Sequence, residues 1–298
     1  MRSLFLTLAT VLPLTAQELP PTYVCGRTET PPTIDGKGDD WQWQTARELS
    51  PLRDIEGAAI PHECRIKMLW DDDNLYILAD MDEKHLWATL TEHDSVIYRD
   101  PDFEVFIDPD GDGLNYIELE INALNTTWDL FITRPYRFDD PHILHDWEIP
   151  GLKHAVNLRG TLNDSRDTDE GWSVELAIPW SSITSHATQP RTGKAPAPGT
   201  EMRFNFSRVN WQVRPADGGY EKLNARQKFI ISDGNLDAVF NGEIFSTGSG
   251  VHVVNKTGSM LPETGGLGTL LFTVLGSTTA LGTGVVLVTK KRMSMIQD

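Results

Sequence analysis

Tyr116, Glu118, Glu120 and Asn122 fall on one face of a strictly alternating run, with Ile117, Leu119 and Ile121 on the other. A ring, two carboxylates and an amide on one sheet face are groups that hold a neutral, hydroxyl-rich ligand. The ligand's C–H faces stack on aromatic rings, and its hydroxyls pair with carboxylates and amides. Glu104, in the neighbouring run from Phe103 to Ile107, shares a face with Phe106. A merely solvated sheet face is the other reading of Glu118 and Glu120. Trp128, Trp147 and Trp211 are placed to line a rim, whereas Trp41, Trp70 and Trp172 follow a core pattern.

Two further groupings carry chemistry. Asp108, Asp110 and Asp112 alternate around Gly111 and Gly113, a spacing of oxygen ligands that suits a hard cation such as calcium. The twelfth position from Asp108 is Leu119 rather than Glu, so the EF-hand register fails. A calcium-held hairpin loop and an acidic tight turn both remain open. His93, Asp94 and Ser95 are the residue types of a hydrolase triad, yet triad members come together from separate segments. Glycoside hydrolysis takes two carboxylates across a cleft. Among 43 acidic residues none is singled out as part of such a pair, and no catalytic residue is assigned.

The elements that position these groups are strands. Arg65 to Trp70 and Leu75 to Ala79 flank turn residues Asp71 to Asn74, a hairpin signal. Phe103 to Ile107, Tyr116 to Asn122, Trp128 to Thr133, Trp172 to Ile178 and Met202 to Val209 are further strands, with one short helical stretch near Trp180 to Ser185. Many short strands separated by turn signals imply an all-β chain, an antiparallel sandwich or a barrel.

The 298 residues hold 26 Lys+Arg against 43 Asp+Glu, a formal charge of −17. That balance argues against a nucleic-acid partner, because such affinity comes from neutralising phosphates. The two ends read as addresses. Arg2, the apolar stretch Leu4 to Leu14 and a small-residue zone around Ala16 predict a signal peptide over 1–17. Residues 265–289 carry no charge, and about 20 apolar residues cross a bilayer as a helix, so a C-terminal transmembrane helix is expected. Lys290, Lys291 and Arg292 follow as a basic stop. Leu261, Pro262, Glu263, Thr264 and Gly265 stand just before the span.

This ordered trio resembles the sorting signal of Gram-positive surface proteins. The resemblance implies a sortase that cuts between Thr264 and Gly265 and joins Thr264 to peptidoglycan, leaving a secreted protein anchored to the cell wall. Outside the cell, Cys25 and Cys64 are expected to pair.

The body resembles family 9 carbohydrate-binding modules over about residues 21–215. The likeness rests on Thr33 to Gly36 with Asp40 and Trp41, Met68 to Asp71 with Leu75 and Tyr76, Phe103 to Asp108, Asn122, Gly171 to Pro179 and Arg203 to Arg208. It implies a β-sandwich that binds a polysaccharide or oligosaccharide, without catalysis of its own, in support of carbohydrate catabolism. It also implies Tyr98 as the stacking ring, Glu104 as a hydroxyl-binding carboxylate and Asn122 as a binding-face amide. Glu120 stands where the modules can carry a basic residue. Family 9 modules hold structural calcium, which bears on Asp108, Asp110 and Asp112. Residues 233–257 are instead similar to the last strands of Gram-positive pilin subunits, so the expected organisation is 1–17 signal, 18–225 sandwich, 226–260 terminal strands or stalk, and 261–298 anchor. A pilus or adhesin spacer is the alternative function, and a glycoside hydrolase a third.

Overall fold

A computed structural model of the chain describes residues 22–49, 53–54, 63–136, 138, 142–184, 192–223, 229–232 and 236–244. The expected signal peptide, membrane span and sortase motif lie outside these residues. Among the described residues, no helix is long and apolar enough to cross a membrane.

The strands are β1 (Thr22–Arg27), β2 (Glu48–Leu49), β3 (Arg53–Asp54), β4 (Cys64–Trp70), β5 (Asn74–Asp82), β6 (Asp102–Asp108), β7 (Tyr116–Asn122) and β8 (Thr127–Ile132). They continue with β9 (Ile143–Leu144), β10 (Lys153–Arg159), β11 (Gly171–Pro179), β12 (Glu201–Asn210), β13 (Val213–Ala216), β14 (Gly219–Lys222), β15 (Phe229–Ser232) and β16 (Leu236–Ile244). One short helix, α1 (Trp180–Thr184), follows β11. The main sheet runs β10-β11-β5-β4-β1-β16-β12-β6-β7-β8-β9. Its ladders are antiparallel except at β1, which pairs parallel with both β4 and β16, so the sheet is mixed.

Period-two alternation explains how the sheet curls on itself. Ile66, Met68, Ile77, Met81, Val174 and Leu176 from one half meet Phe103, Val105, Ile117, Leu119, Phe204 and Phe206 from the other in a single buried core. Trp70, Trp180 and Phe240 pack edge-to-face at its centre, with ring centroids 5.2–6.2 Å apart. Each half also buries part of its outer face. Ile97, Phe106, Tyr116, Trp128, Leu130, Ile132 and Tyr136 form a second cluster behind β6–β8. Trp43, Leu69, Tyr76 and Leu78 form another behind β4 and β5.

Two expectations are corrected by this architecture. Trp41, expected in the core, is 53% exposed. The turn Trp41–Gln44 sends Trp43 inward instead, where its indole Nε1 donates to Glu175 Oε1 at 2.7 Å. Cys25 and Cys64 stay as separate buried thiols. Gly26 is level with Leu69, so Cys25 is level with Met68, four residues from Cys64. That offset is about 13 Å along a strand, well beyond the Cα separations a disulfide accepts. Within the range expected as terminal strands or a stalk, β16 lies between β1 and β12 and sends Leu236, Ala238 and Phe240 into the main core. The alternation of apolar residues from Leu236 to Phe240 suits a strand with one face in the core, so the sandwich is completed from within the chain.

Glu175 shows how the early motif is held. Its Oε2 accepts the backbone N–H of Asp35 at 3.0 Å and of Gly36 at 2.7 Å. Gly36 has φ +84°, and a Cβ there would stand 2.6 Å from the Val156 carbonyl carbon, so only glycine fits.

Candidate functional site

The outer face of β6–β8 and β12 carries an unusual density of acidic groups. Register puts Glu104 opposite Glu120 on one side and Ser207 on the other, and Asp102 opposite Asn122 and Val209. Carboxylate oxygens of Asp102, Glu104 and Glu120 lie within 4.8 Å of one another, and all three residues are buried. Each has a defined partner. Ser207 Oγ donates to Glu104, Val209 N–H to Asp102 Oδ1 at 3.1 Å, and Tyr98 N–H to Glu120 Oε2 at 2.9 Å. Glu118, also buried, accepts from Tyr136 Oη at 2.7 Å. The solvated reading of Glu118 and Glu120 is therefore excluded.

Residues 86–100 cover this face, and polar side chains, the buried Asp100, Asp169 and Asn122 and the exposed Asn163, hold them down. Asp100 Oδ2 accepts from the N–H groups of Thr89 at 2.7 Å and Leu90 at 2.8 Å. Asp169 accepts from Leu86 N–H at 2.7 Å. Asn163 and Ala88 exchange two hydrogen bonds, at 3.0 and 2.9 Å. Asn122 completes the clamp. Its amide nitrogen donates to Leu90 O at 2.8 Å and Asp100 Oδ2 at 3.1 Å, and its Oδ1 accepts from Leu124 and Thr126, both at 3.0 Å. All its donors and acceptor sites are thereby used. Expected as a binding-face amide, Asn122 instead ties the covering segment to the sheet.

Tyr98 rides on that segment, half-buried, with its ring 6.2 Å from Trp128. Trp128 stacks on the exposed His145 at 5.6 Å. Trp211 donates through Nε1 to Tyr98 O at 2.9 Å and packs with Trp87 and Val209. Lys222 Nζ sits 4.0 Å from the Trp211 ring centroid, a cation–π contact, and burial pulls its ammonium below the usual lysine range. The structure thus gathers Tyr98, Glu104, Glu120 and Trp128 in one place, with Trp211 beside them but almost wholly buried. Trp147 is not among them. It packs on Phe131, whose side chain leaves β8 on the opposite face from Trp128.

Asp102 and Trp87 were missed. Extending the alternation of Glu104 and Phe106 back by two residues reaches Asp102; no spacing marks Trp87.

The acidic loop is well formed. Asp108 accepts the N–H groups of Gly111 at 2.9 Å and Gly113 at 2.8 Å, and Arg203 donates to Gly111 O at 2.9 Å. Burial, then the charges of Asp110 and Asp112, pushes the Asp108 carboxyl up to about 7 against the pull of those amides. Carboxylate oxygens of Asp108, Asp110 and Asp112 lie within 4.8 Å of one another, a donor set that fits calcium.

Residues 34–210 match the family described as carbohydrate family 9 binding domain-like. The chain belongs to this family. As a family 9 domain it is a binding module of β-sandwich architecture. Residues 253–294 match the LPXTG cell wall anchor motif, which makes the protein a secreted, wall-anchored one. Among curated proteins, the chain is 30% identical over 186 residues to endo-1,4-beta-xylanase A of Thermoanaerobacterium saccharolyticum. It is 29% identical over 153 residues to exoglucanase XynX of Acetivibrio thermocellus. These matches cover 62% and 51% of this chain but only 13% and 12% of those relatives. A solved structure from Bacteroides uniformis, described as carbohydrate-binding, shares the fold with a TM-score of 0.53 at 15% identity, over 74% of this chain and 100% of the other.

Proposed function

We propose that this wall-anchored family 9 domain binds a neutral, plant-type saccharide of the xylan or cellulose class through the Tyr98 region, without catalysis, and so serves carbohydrate breakdown by other enzymes. The observation that carries the reading is the family match together with a half-exposed ring, Tyr98, set against Trp128 above buried carboxylates. The partial likeness to a xylanase and an exoglucanase supports the ligand class. Glu120 holds the backbone of the stacking residue, and Glu104, linked to Ser207, lies beneath it as a hydroxyl acceptor one layer down. The Asp108 loop is a calcium site that stiffens the β6–β7 hairpin. Sortase cuts between Thr264 and Gly265 and links Thr264 to peptidoglycan; the anchor match supports this step.

One observation favours a second reading. Glu104 is 1% exposed and Glu120 0%, as buried as core residues, which suits a face that only stabilises a spacer domain. A glycan array probed with the purified protein separates the two. Binding to β-1,4-linked glycans supports recognition, and an array with no bound glycan supports the spacer. Release of reducing sugar from xylan or cellulose would instead require an enzyme.

A further inference from the structure

One cleft, away from both the Tyr98 face and the Asp108 loop, gathers metal-ligating side chains from three segments. His93 and Asp94 come from the loop between β5 and β6, Asp129 from β8, and Glu148 from the stretch between β9 and β10. The cleft encloses about 450 Å³ and is also lined by Thr91, Asn125 and His154. Asp129 neighbours Trp128 in β8 but leaves the sheet on the opposite face.

The imidazole is oriented from behind. His93 Nδ1 lies 3.0 Å from Thr127 O and 3.1 Å from Thr127 Oγ1. A carbonyl oxygen only accepts, so Nδ1 carries the proton and donates. Nε2 then faces three carboxylates, Glu148 Oε1 at 3.0 Å, Asp94 Oδ1 at 3.4 Å and Asp129 Oδ1 at 3.7 Å. These oxygens, when ionised, also only accept. A proton or a cation has to stand among the four groups: a second proton on the ring, a proton on one carboxyl, or a metal ion.

Asp129 argues for the metal. Its side chain is 2% exposed, and its Oδ2 accepts from Ile149 N–H at 2.5 Å. Its Oδ1, aimed into the cleft, has no hydrogen-bond partner, and neither has Asp94 Oδ1. A buried carboxylate oxygen left this way is costly unless a cation completes it. Asp94 reaches its place with φ +62°, a left-handed backbone uncommon outside glycine.

We propose that this cleft binds a divalent transition-metal ion of the zinc class, ligated by His93 Nε2, Asp94 and Asp129, whose ligand atoms all lie within 4.8 Å of one another, with Glu148 at the edge against His93. Zinc bonds of about 2.0–2.2 Å in a tetrahedron set ligand atoms about 3.4 Å apart; Nε2 lies 3.4 Å from Asp94 Oδ1 and 3.7 Å from Asp129 Oδ1. An imidazole among carboxylates selects this class of ion over calcium or magnesium. The hydrogen bond from Nδ1 to a backbone carbonyl is the outer contact that fixes a metal-ligating histidine in the required tautomer.

The test is calorimetric titration of zinc chloride into untagged, chelator-stripped protein, with calcium chloride in a parallel arm. Expected is a one-site zinc event with a micromolar or tighter Kd and a melting temperature raised by several degrees. His93→Ala and Asp94→Asn, at partly exposed side chains, should each weaken zinc binding at least tenfold while the stripped variants melt with the parent. Asp129→Asn should do the same to zinc, and retained folding in the other two keeps the test valid if this variant fails to fold. No zinc binding, or binding unchanged in His93→Ala and Asp94→Asn, overturns the proposal and leaves an imidazolium ion pair. Calcium competing for the same site with equal affinity overturns the assignment of the metal class.

Discussion

The buried carboxylate of Glu120 accepts the backbone N–H of Tyr98 at 2.9 Å, so the residue best placed to stack on a ligand is held by its main chain from the sheet below. Trp211 binds the carbonyl of the same residue at 2.9 Å. Both backbone groups of Tyr98 are therefore committed, and the ring is presented at a fixed place. Such preorganisation lowers the ordering cost of binding.

Asn122 makes four hydrogen bonds to the segment that carries Tyr98 and to its own turn. Asn122→Ala should lower stability by about 2–4 kcal/mol, since buried partners are left unsatisfied. Urea unfolding checks this, and a loss under about 0.5 kcal/mol would show that residues 89–100 are held by other means.

Asp108 links the acidic loop to pH. Its folded carboxyl is raised to about 7 from an ordinary 3.8, so the folded state binds more protons between those values. Stability from this group is fully present below about pH 4 and lost as pH rises to about 7. Asp129, raised to about 6, adds a loss of the same sign. Thermal melts should therefore show calcium raising the midpoint more at pH 8 than at pH 5, with the calcium increment removed in Asp108→Asn. Equal midpoints with calcium and with chelator at pH 8 would leave an acidic turn.

Cys25 and Cys64 should titrate as two thiols only after denaturation, and a reductant should leave the melting temperature unchanged. Burial holds the Cys25 thiol well above its usual range, which also slows its reaction. A midpoint that drops with reductant would mean that the two sulfurs are bonded.

Thr264→Ala should move the protein from the peptidoglycan-linked fraction to the membrane fraction of the cell. Unchanged wall linkage in that variant would contradict sortase attachment.

Much of the fold was legible because it rests on alternation. Tyr116 to Asn122 reads as a strand, and its apolar side enters the core as expected. The mixed order was not legible, since nothing local in Thr22–Arg27 or Leu236–Ile244 announces that these two strands run parallel. Period two gave Glu104, Glu118, Glu120 and Asn122 a common side but not its environment. Their burial depends on residues 86–100 folding back over the sheet, held by Asn122 and Asn163 from sequence-distant places. Trp41 and Trp43 show the same limit at short range. One turn decides which ring enters, and Glu175, far along the chain, supplies the partner for Trp43.

Calorimetry of the purified protein with xylo- and cello-oligosaccharides tests the proposed saccharide site most directly. One stacking ring contributes on the order of 1 kcal/mol beyond its buried area. After the cost of association a Kd from millimolar to high micromolar is expected, about −4 to −6 kcal/mol. Tyr98→Ala should weaken binding at least tenfold with an unchanged melting temperature, and Glu120→Gln should weaken it less, by loosening the Tyr98 backbone. Saccharide binding that survives Tyr98→Ala at parental affinity would place the site elsewhere, and no heat with any oligosaccharide would contradict recognition altogether.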